Sequence, residues 1–140
     1  MIEKIKECIA SGDLVLAGIG DECSLKHHTK EELQTFYEKL ADLLEEKEYL
    51  IGPFKFNVII NSGHTTDSIS FYFREEKVMF VGDFIFLDSI GRCDLEGGNF
   101  SSMRESIKKI KAYADDIVIF PGHGDKTTLG YEKENNYYFN

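Results

Sequence analysis

The chain has 140 residues, 42% of them hydrophobic and 29% charged, which suits one folded domain with a single modest core and lies far from the composition of a disordered chain. Its formal charge of -9 argues against nucleic acid or an anionic membrane as a partner, because both need a basic surface to neutralise phosphate. No apolar run is long enough to span a bilayer, and the amphipathic opening MIEKIKECIASGD lacks the basic start and continuous apolar stretch of a signal peptide, so a cytoplasmic location is expected.

Ile2, Ile5, Cys8 and Ile9 recur at helical spacing until Ser11-Gly12, predicting a short helix, and Leu14 to Ile19 reads as a buried strand. Thr29-x-x-Glu32 is a capping-box pattern. Behind it Leu33, Phe36, Tyr37, Leu40, Leu43 and Leu44 share one face of a helix that should end near Glu48. From Gly52 the period changes to that of a sheet. Phe54, Phe56, Val58 and Ile60 alternate with Lys55, Asn57 and Asn61, as in a strand with one buried face.

A second strand alternates Ile69, Phe71 and Phe73 with Ser68, Ser70 and Tyr72, and Arg74 to Lys77 forms a charged hairpin turn. Val78 to Val81 is apolar on both faces, as an interior strand would be, and three adjacent antiparallel strands are the simplest arrangement. After a loop ending at Gly97-Gly98, Ser102-x-x-Glu105 is a second capping box, with Ile107, Ile110 and Ala114 on the inner face of its helix. Ile117 to Phe120 is a last buried strand, and the polar, tyrosine-rich tail from Thr127 reads as a short helix or turn packed on the edge.

Cys8, Cys23 and Cys93 are odd in number and widely spaced, so they define neither a disulfide framework nor a metal knuckle, and reduced, mostly buried thiols are expected. Three segments share another design. In Ser62-Gly63-His64-Thr65, Gly82-Asp83 and Pro121-Gly122-His123-Gly124 a strand ends, a glycine turns the backbone, and a metal-capable side chain follows. Any one of them alone is most simply a loop residue after a strand. Together they lie at strand exits within one sheet-rich region, which convergence on a site requires, and two imidazoles with one carboxylate suit zinc as well as iron or manganese.

The runs VIINSGHTTDSISFYF, KVMFVGDFIFLDSIGRCDLEGG and IVIFPGHGDKTTLGYEKENN resemble the C-terminal half of the metallo-β-lactamase superfamily, and within it the glyoxalase II-like thioester hydrolases. The resemblance covers residues 52 to 136 in unbroken order. It implies an α/β fold, the sheet-rich half of an αββα sandwich, preceded by a helix-strand-helix segment over residues 1–51 that together with residues 52–140 makes one domain. It further implies one or two zinc ions, with His64 on the first metal, Asp83 bridging and orienting the attacking hydroxide, and His123 on the second. Thr65 would support the loop or a ligand by hydrogen bonds. The substrate would be a small-molecule thioester or ester.

Gly91-Arg92-Cys93-Asp94 resembles the GRTD-like stretch of this group, with cysteine in the usual threonine position. Arg92 then has two readings, a buried pairing with Asp94 that fixes the loop, or contact with an anionic substrate. The same stretch occurs in mononuclear-iron persulfide dioxygenases of the superfamily, a second enzymatic reading.

The chain departs from the family by having no HxHxDH motif. His27-His28 has neither the alternation nor the acidic residue, and a solvated loop before a capped helix accounts for the pair. LVLAGIGDE with the helix that follows faintly resembles the nucleotide-binding part of sirtuin-like proteins, although only Gly18-Ile19-Gly20 of a GxGxxG is present. A third reading follows from the missing motif: a catalytically inactive half-domain, or one completed by a partner, including a homo-oligomer.

Overall fold

The computed structural model describes residues 45–51, 54–66 and 68–140. The helix and strand expected over residues 2–19, most of the helix expected from Thr29, and His27-His28 with Cys8 and Cys23 lie outside the described residues.

Strand β1 (Glu48–Ile51) pairs antiparallel with β2 (Phe54–Ile60), β2 with β3 (Ile69–Phe73), and β3 with β4 (Val78–Gly82). Beyond β4, strand β7 (Val118–Pro121) adds in parallel, and β8 (Thr127–Thr128) closes the six-stranded order β1-β2-β3-β4-β7-β8. Between β4 and β7 the chain makes a small hairpin, β5 (Ile85–Phe86) with β6 (Ser89–Ile90), and then helix α1 (Phe100–Ile110). Helix α2 (Leu129–Asn135) and a 3-10 turn (Tyr137–Phe139) follow β8. This is the α/β, sheet-rich architecture expected.

Several details differ from the sequence expectation. Glu48, expected at a helix end, opens β1, because the backbone of residues 48–51 finds a full antiparallel partner in residues 54–57. In β2, Phe54, Phe56 and Val58 are buried as expected, but Ile60 is 37% exposed while Ile59 and Asn61 are buried. Ile59 packs with Met103, Ile107 and Ile110 of α1, so this end of the strand has its helix-side face covered. A one-face period misassigns such a strand.

Helix α1 is capped by Asn99, whose side-chain oxygen accepts from the backbone N of Ser102 at 2.9 Å, so the first turn starts before the Ser102 capping box. Ala114 lies beyond the helix and is exposed. The inner face is instead Met103, Ser106, Ile107 and Ile110, packed on Ile59, Met79, Val81 and Ile119 of the sheet. Met103, Ile107 and Ile110, withdrawn from water, contribute about 1.5–3 kcal/mol each, which holds α1 on the sheet beside the strand exits.

Candidate functional site

Strands β2, β4 and β7 run in the same direction, since β3 is antiparallel to both β2 and β4 and β7 is parallel to β4. Their C-terminal ends therefore lie along one edge of the sheet, and it is there that Ser62-Gly63-His64, Asp83 and Gly122-His123 emerge. Neighbouring β4 and β7 pair in register up to Phe80 opposite Phe120, then shift by one residue at a bulge, so that Gly82 stands opposite Pro121 and the Gly122 N donates to the Gly82 carbonyl at 2.9 Å. The loop after β2 must reach across β3. At Gly63 it presses on α1, where a Cβ would stand 2.7 Å from the Met103 backbone, and its φ of 155° suits a residue without one.

The three side chains meet on Asp83. His64 Nε2 lies 3.5 Å from Asp83 Oδ2, and His123 Nδ1 lies 2.9 Å from Asp83 Oδ1, so each carboxylate oxygen faces one imidazole. On its other side His64 Nδ1 is 2.8 Å from the carbonyl oxygen of Arg92. A carbonyl can only accept, so Nδ1 carries the hydrogen and Nε2 presents its lone pair toward Asp83. In the neutral ring this leaves Nε2 and Asp83 Oδ2, 3.5 Å apart, as two donor atoms that a cation could share. Exposure rises from His64 at 22% through Asp83 at 34% to His123 at 70%, so the cluster is anchored on the His64 side and open on the His123 side.

The donor types are those of zinc, iron or manganese. Among the described residues, however, no three His, Cys, Asp or Glu side chains close on a single point. The cluster fits a metal centre as one wall of it, with His64 Nε2, Asp83 and His123 as the groups that would hold the ion.

The remaining candidates take supporting places. Thr65 Oγ1 shares a 2.6 Å hydrogen bond with Ser68 Oγ, and its N is 3.3 Å from the same oxygen, which stiffens the loop carrying His64. The Arg92 guanidinium holds Asp94 through Nε at 2.7 Å and a terminal nitrogen at 2.9 Å. That pair is exposed on both sides, at 61% and 68%, where a buried one was the alternative to substrate contact. Arg92 hydrogen bonding holds the Asp94 carboxyl down to about 2. Burial, and then the neighbouring Asp94 charge, push the Cys93 thiol up, so it is no activated nucleophile.

Two features of the site were missed from sequence. The Arg92 backbone carbonyl, and not its side chain, reaches the cluster. Gly91 packs so tightly that a Cβ there would stand 1.7 Å from the Asp83 carbonyl and 3.2 Å from His64 Cβ. Only the resemblance of the GRCD stretch to the family's GRTD-like segment hinted at either.

Fold, strand-exit donors and their order along the chain define an α/β unit with a candidate metal site at one sheet edge. The family model described as "Metallo-beta-lactamase superfamily" matches residues 16–123, and the chain belongs to this metal-binding superfamily. The match reaches well into the segment before Gly52, where no motif pointed to it.

Hydroxyacylglutathione hydrolase GloC of Haemophilus influenzae is 41% identical over 98 residues, 69% of this chain and 46% of its own length. A probable metallo-hydrolase of Streptococcus pyogenes is 29% identical over 138 residues, 98% of this chain and 57% of that protein. Among solved structures, TTHA1623 in a di-iron-bound form superposes with a TM-score of 0.63 at 36% identity, over 68% of this chain and 46% of that one. The chain spans about half the length of the curated relatives it matches.

Proposed function

We propose that this chain carries part of a metal-dependent hydrolase centre of the glyoxalase II-like kind, acting on a small-molecule thioester or ester. The observation that supports it most is the Asp83 carboxylate lying between two imidazoles, one oxygen toward each. The likeness to a hydroxyacylglutathione hydrolase points to a hydroxyacyl thioester as the substrate class.

A divalent metal bound here would acidify water and polarise the substrate carbonyl. His64 contributes an imidazole whose tautomer and direction are set by the Arg92 carbonyl, so its Nε2 is ready to bind without reorganisation. Asp83 presents an oxygen to each side and can orient an attacking water between them. His123, the most exposed of the three, lies where a substrate would approach. Zinc is the metal proposed, with iron the competitor because a similar structure holds two irons.

The test is metal content and thioester cleavage by the purified chain. Zinc, iron or manganese binding with release of free thiol from a hydroxyacylglutathione thioester is expected. No bound metal and no rise in melting temperature on adding one would sink the proposal, and oxygen uptake with a persulfide in place of hydrolysis would replace it with dioxygenase chemistry.

A second reading has its own observation. No third donor joins either imidazole and Asp83 among the described residues, so a half-domain completed by a partner also accounts for the site. Light scattering with and without metal separates the two, since a metal-loaded monomer excludes completion by a partner.

A further inference from the structure

Glu132 is a wholly buried carboxylate outside the donor cluster. Three donors converge on its two oxygens. Thr127 Oγ1 donates to Oε2 at 2.6 Å, while the Asp88 backbone N and Asn136 Nδ2 each donate to Oε1 at 2.9 Å. The donors come from strand β8, from the turn of the β5-β6 hairpin, and from the residue that ends α2. Asn136 Nδ2 adds a second tie to the hairpin through the Ser89 carbonyl at 2.9 Å, and Tyr131 OH reaches Asp88 Oδ1 at 2.9 Å.

Two of the tied pieces carry the histidines' supports. The hairpin starts next to Asp83, is closed by the Gly91 N donating to the Phe84 carbonyl at 3.0 Å, and leads directly into Arg92, whose carbonyl orients His64. Its Phe86 ring lies 6.2 Å from the His123 ring. Strand β8 pairs with β7, the strand that delivers His123, and Thr127 ends the short segment that begins at that histidine.

We propose that Glu132 is a positioning residue that, through Asp88 and Thr127, clamps together the two segments that aim His64 and His123 at Asp83. The role is mechanical. Gln in its place keeps an oxygen for Asp88 and Asn136 and offers an amide hydrogen to Thr127 Oγ1, which can accept. Ala removes the acceptor of the buried Thr127 hydroxyl and of the Asp88 N–H, and leaves Asn136 Nδ2 with the Ser89 carbonyl alone.

The proposal rests on the metal-site reading for one of its two readouts. Zinc affinity of the full chain, by chelator competition, is compared for wild type, Glu132→Gln, Glu132→Ala, Thr127→Val and the exposed Glu134→Ala, at a temperature where each is folded by circular dichroism. The imidazole nitrogen spectra of the metal-free proteins give the His64 tautomer independently. Glu132→Ala should weaken zinc binding about 10- to 100-fold, the size of effect of groups that orient metal ligands, and mix in the Nε2–H form of His64. Glu132→Gln and Glu134→Ala should stay close to wild type on both readouts.

Should Glu132→Ala not fold, Thr127→Val, which cuts only the His123-side tie, must still weaken zinc binding. Folded Ala and Val variants with wild-type affinity and a pure Nδ1–H His64 would overturn the inference, as would Glu132→Gln falling as far as Ala. Wild-type protein that binds no zinc overturns the metal-site reading instead, and the tautomer readout then decides the role of Glu132 alone.

Discussion

His64 donates its Nδ1 hydrogen to the backbone carbonyl of Arg92 at 2.8 Å, joining the loop after β2 to the loop that leaves the β5-β6 hairpin. This single bond selects the tautomer that turns Nε2 toward Asp83. Because the acceptor is backbone, the Arg92 side chain can be exchanged without losing it.

Replacing Arg92 with Ala should therefore spare metal binding and act on Asp94 alone. With its partner gone, the Asp94 carboxyl should rise from about 2 toward the ordinary carboxylate value of about 3.9. A folded-state value below the unfolded one means that any stability from this pair is present above the ordinary carboxylate range and is lost as pH falls toward the folded value. Carboxyl carbon NMR titrations of the two proteins check it, and an unchanged Asp94 midpoint would contradict the pairing.

Removing the bridging carboxylate should be more damaging than removing either imidazole, since Asp83 is the one side chain that touches both others. Asp83→Ala should abolish metal-dependent stabilisation, whereas His123→Ala should reduce it. Wild type in metal at 100 times its dissociation constant gains about 2.7 kcal/mol, and the gain read by thermal unfolding in the presence of zinc gives the ranking.

Gly91→Ala places a methyl group against the Asp83 carbonyl and His64 Cβ. The clash must push the hairpin exit away from the site, costing about 1–3 kcal/mol of stability, as overpacking usually does. Metal affinity should fall with it, because Arg92 moves too. Denaturant unfolding supplies the first number and chelator competition the second; a variant as stable as wild type would show that the segment yields freely.

Cys93 should be slow to alkylate at neutral pH, since burial and the Asp94 charge both disfavour its thiolate. The rate with iodoacetamide should climb only above the ordinary thiol range, and Asp94→Asn should bring the climb to lower pH. Mass spectrometry of the peptide containing residue 93 follows this directly, and rapid labelling at pH 7 would contradict the assignment.

The sheet half of the chain was readable because its strands announce themselves by period and its three donor motifs each follow a strand and a glycine. Phe54, Phe56 and Val58 on one face, the charged turn at Arg74 to Lys77 and the strand into Pro121-Gly122-His123 all fall where local pattern puts them. Local pattern failed where a second layer decides burial. Ile59 is buried and Ile60 exposed because α1 covers one side of that strand, and Asn99 takes the cap that a Ser-x-x-Glu pattern had suggested for Ser102.

What the sequence by itself determined is the family, the donor types and their placement at strand ends, since these follow from residue identity and short-range periodicity. Only the tertiary structure decided that β2, β4 and β7 share a direction, that Asp83 lies between the histidines, that the Arg92 carbonyl meets His64, and that a buried tail glutamate joins strand β8 to the β5-β6 hairpin. The reason is physical: the β4–β7 pairing, the Arg92 carbonyl on His64 and the Asp88 N–H on Glu132 are settled by contacts between residues tens of positions apart, which no local pattern encodes.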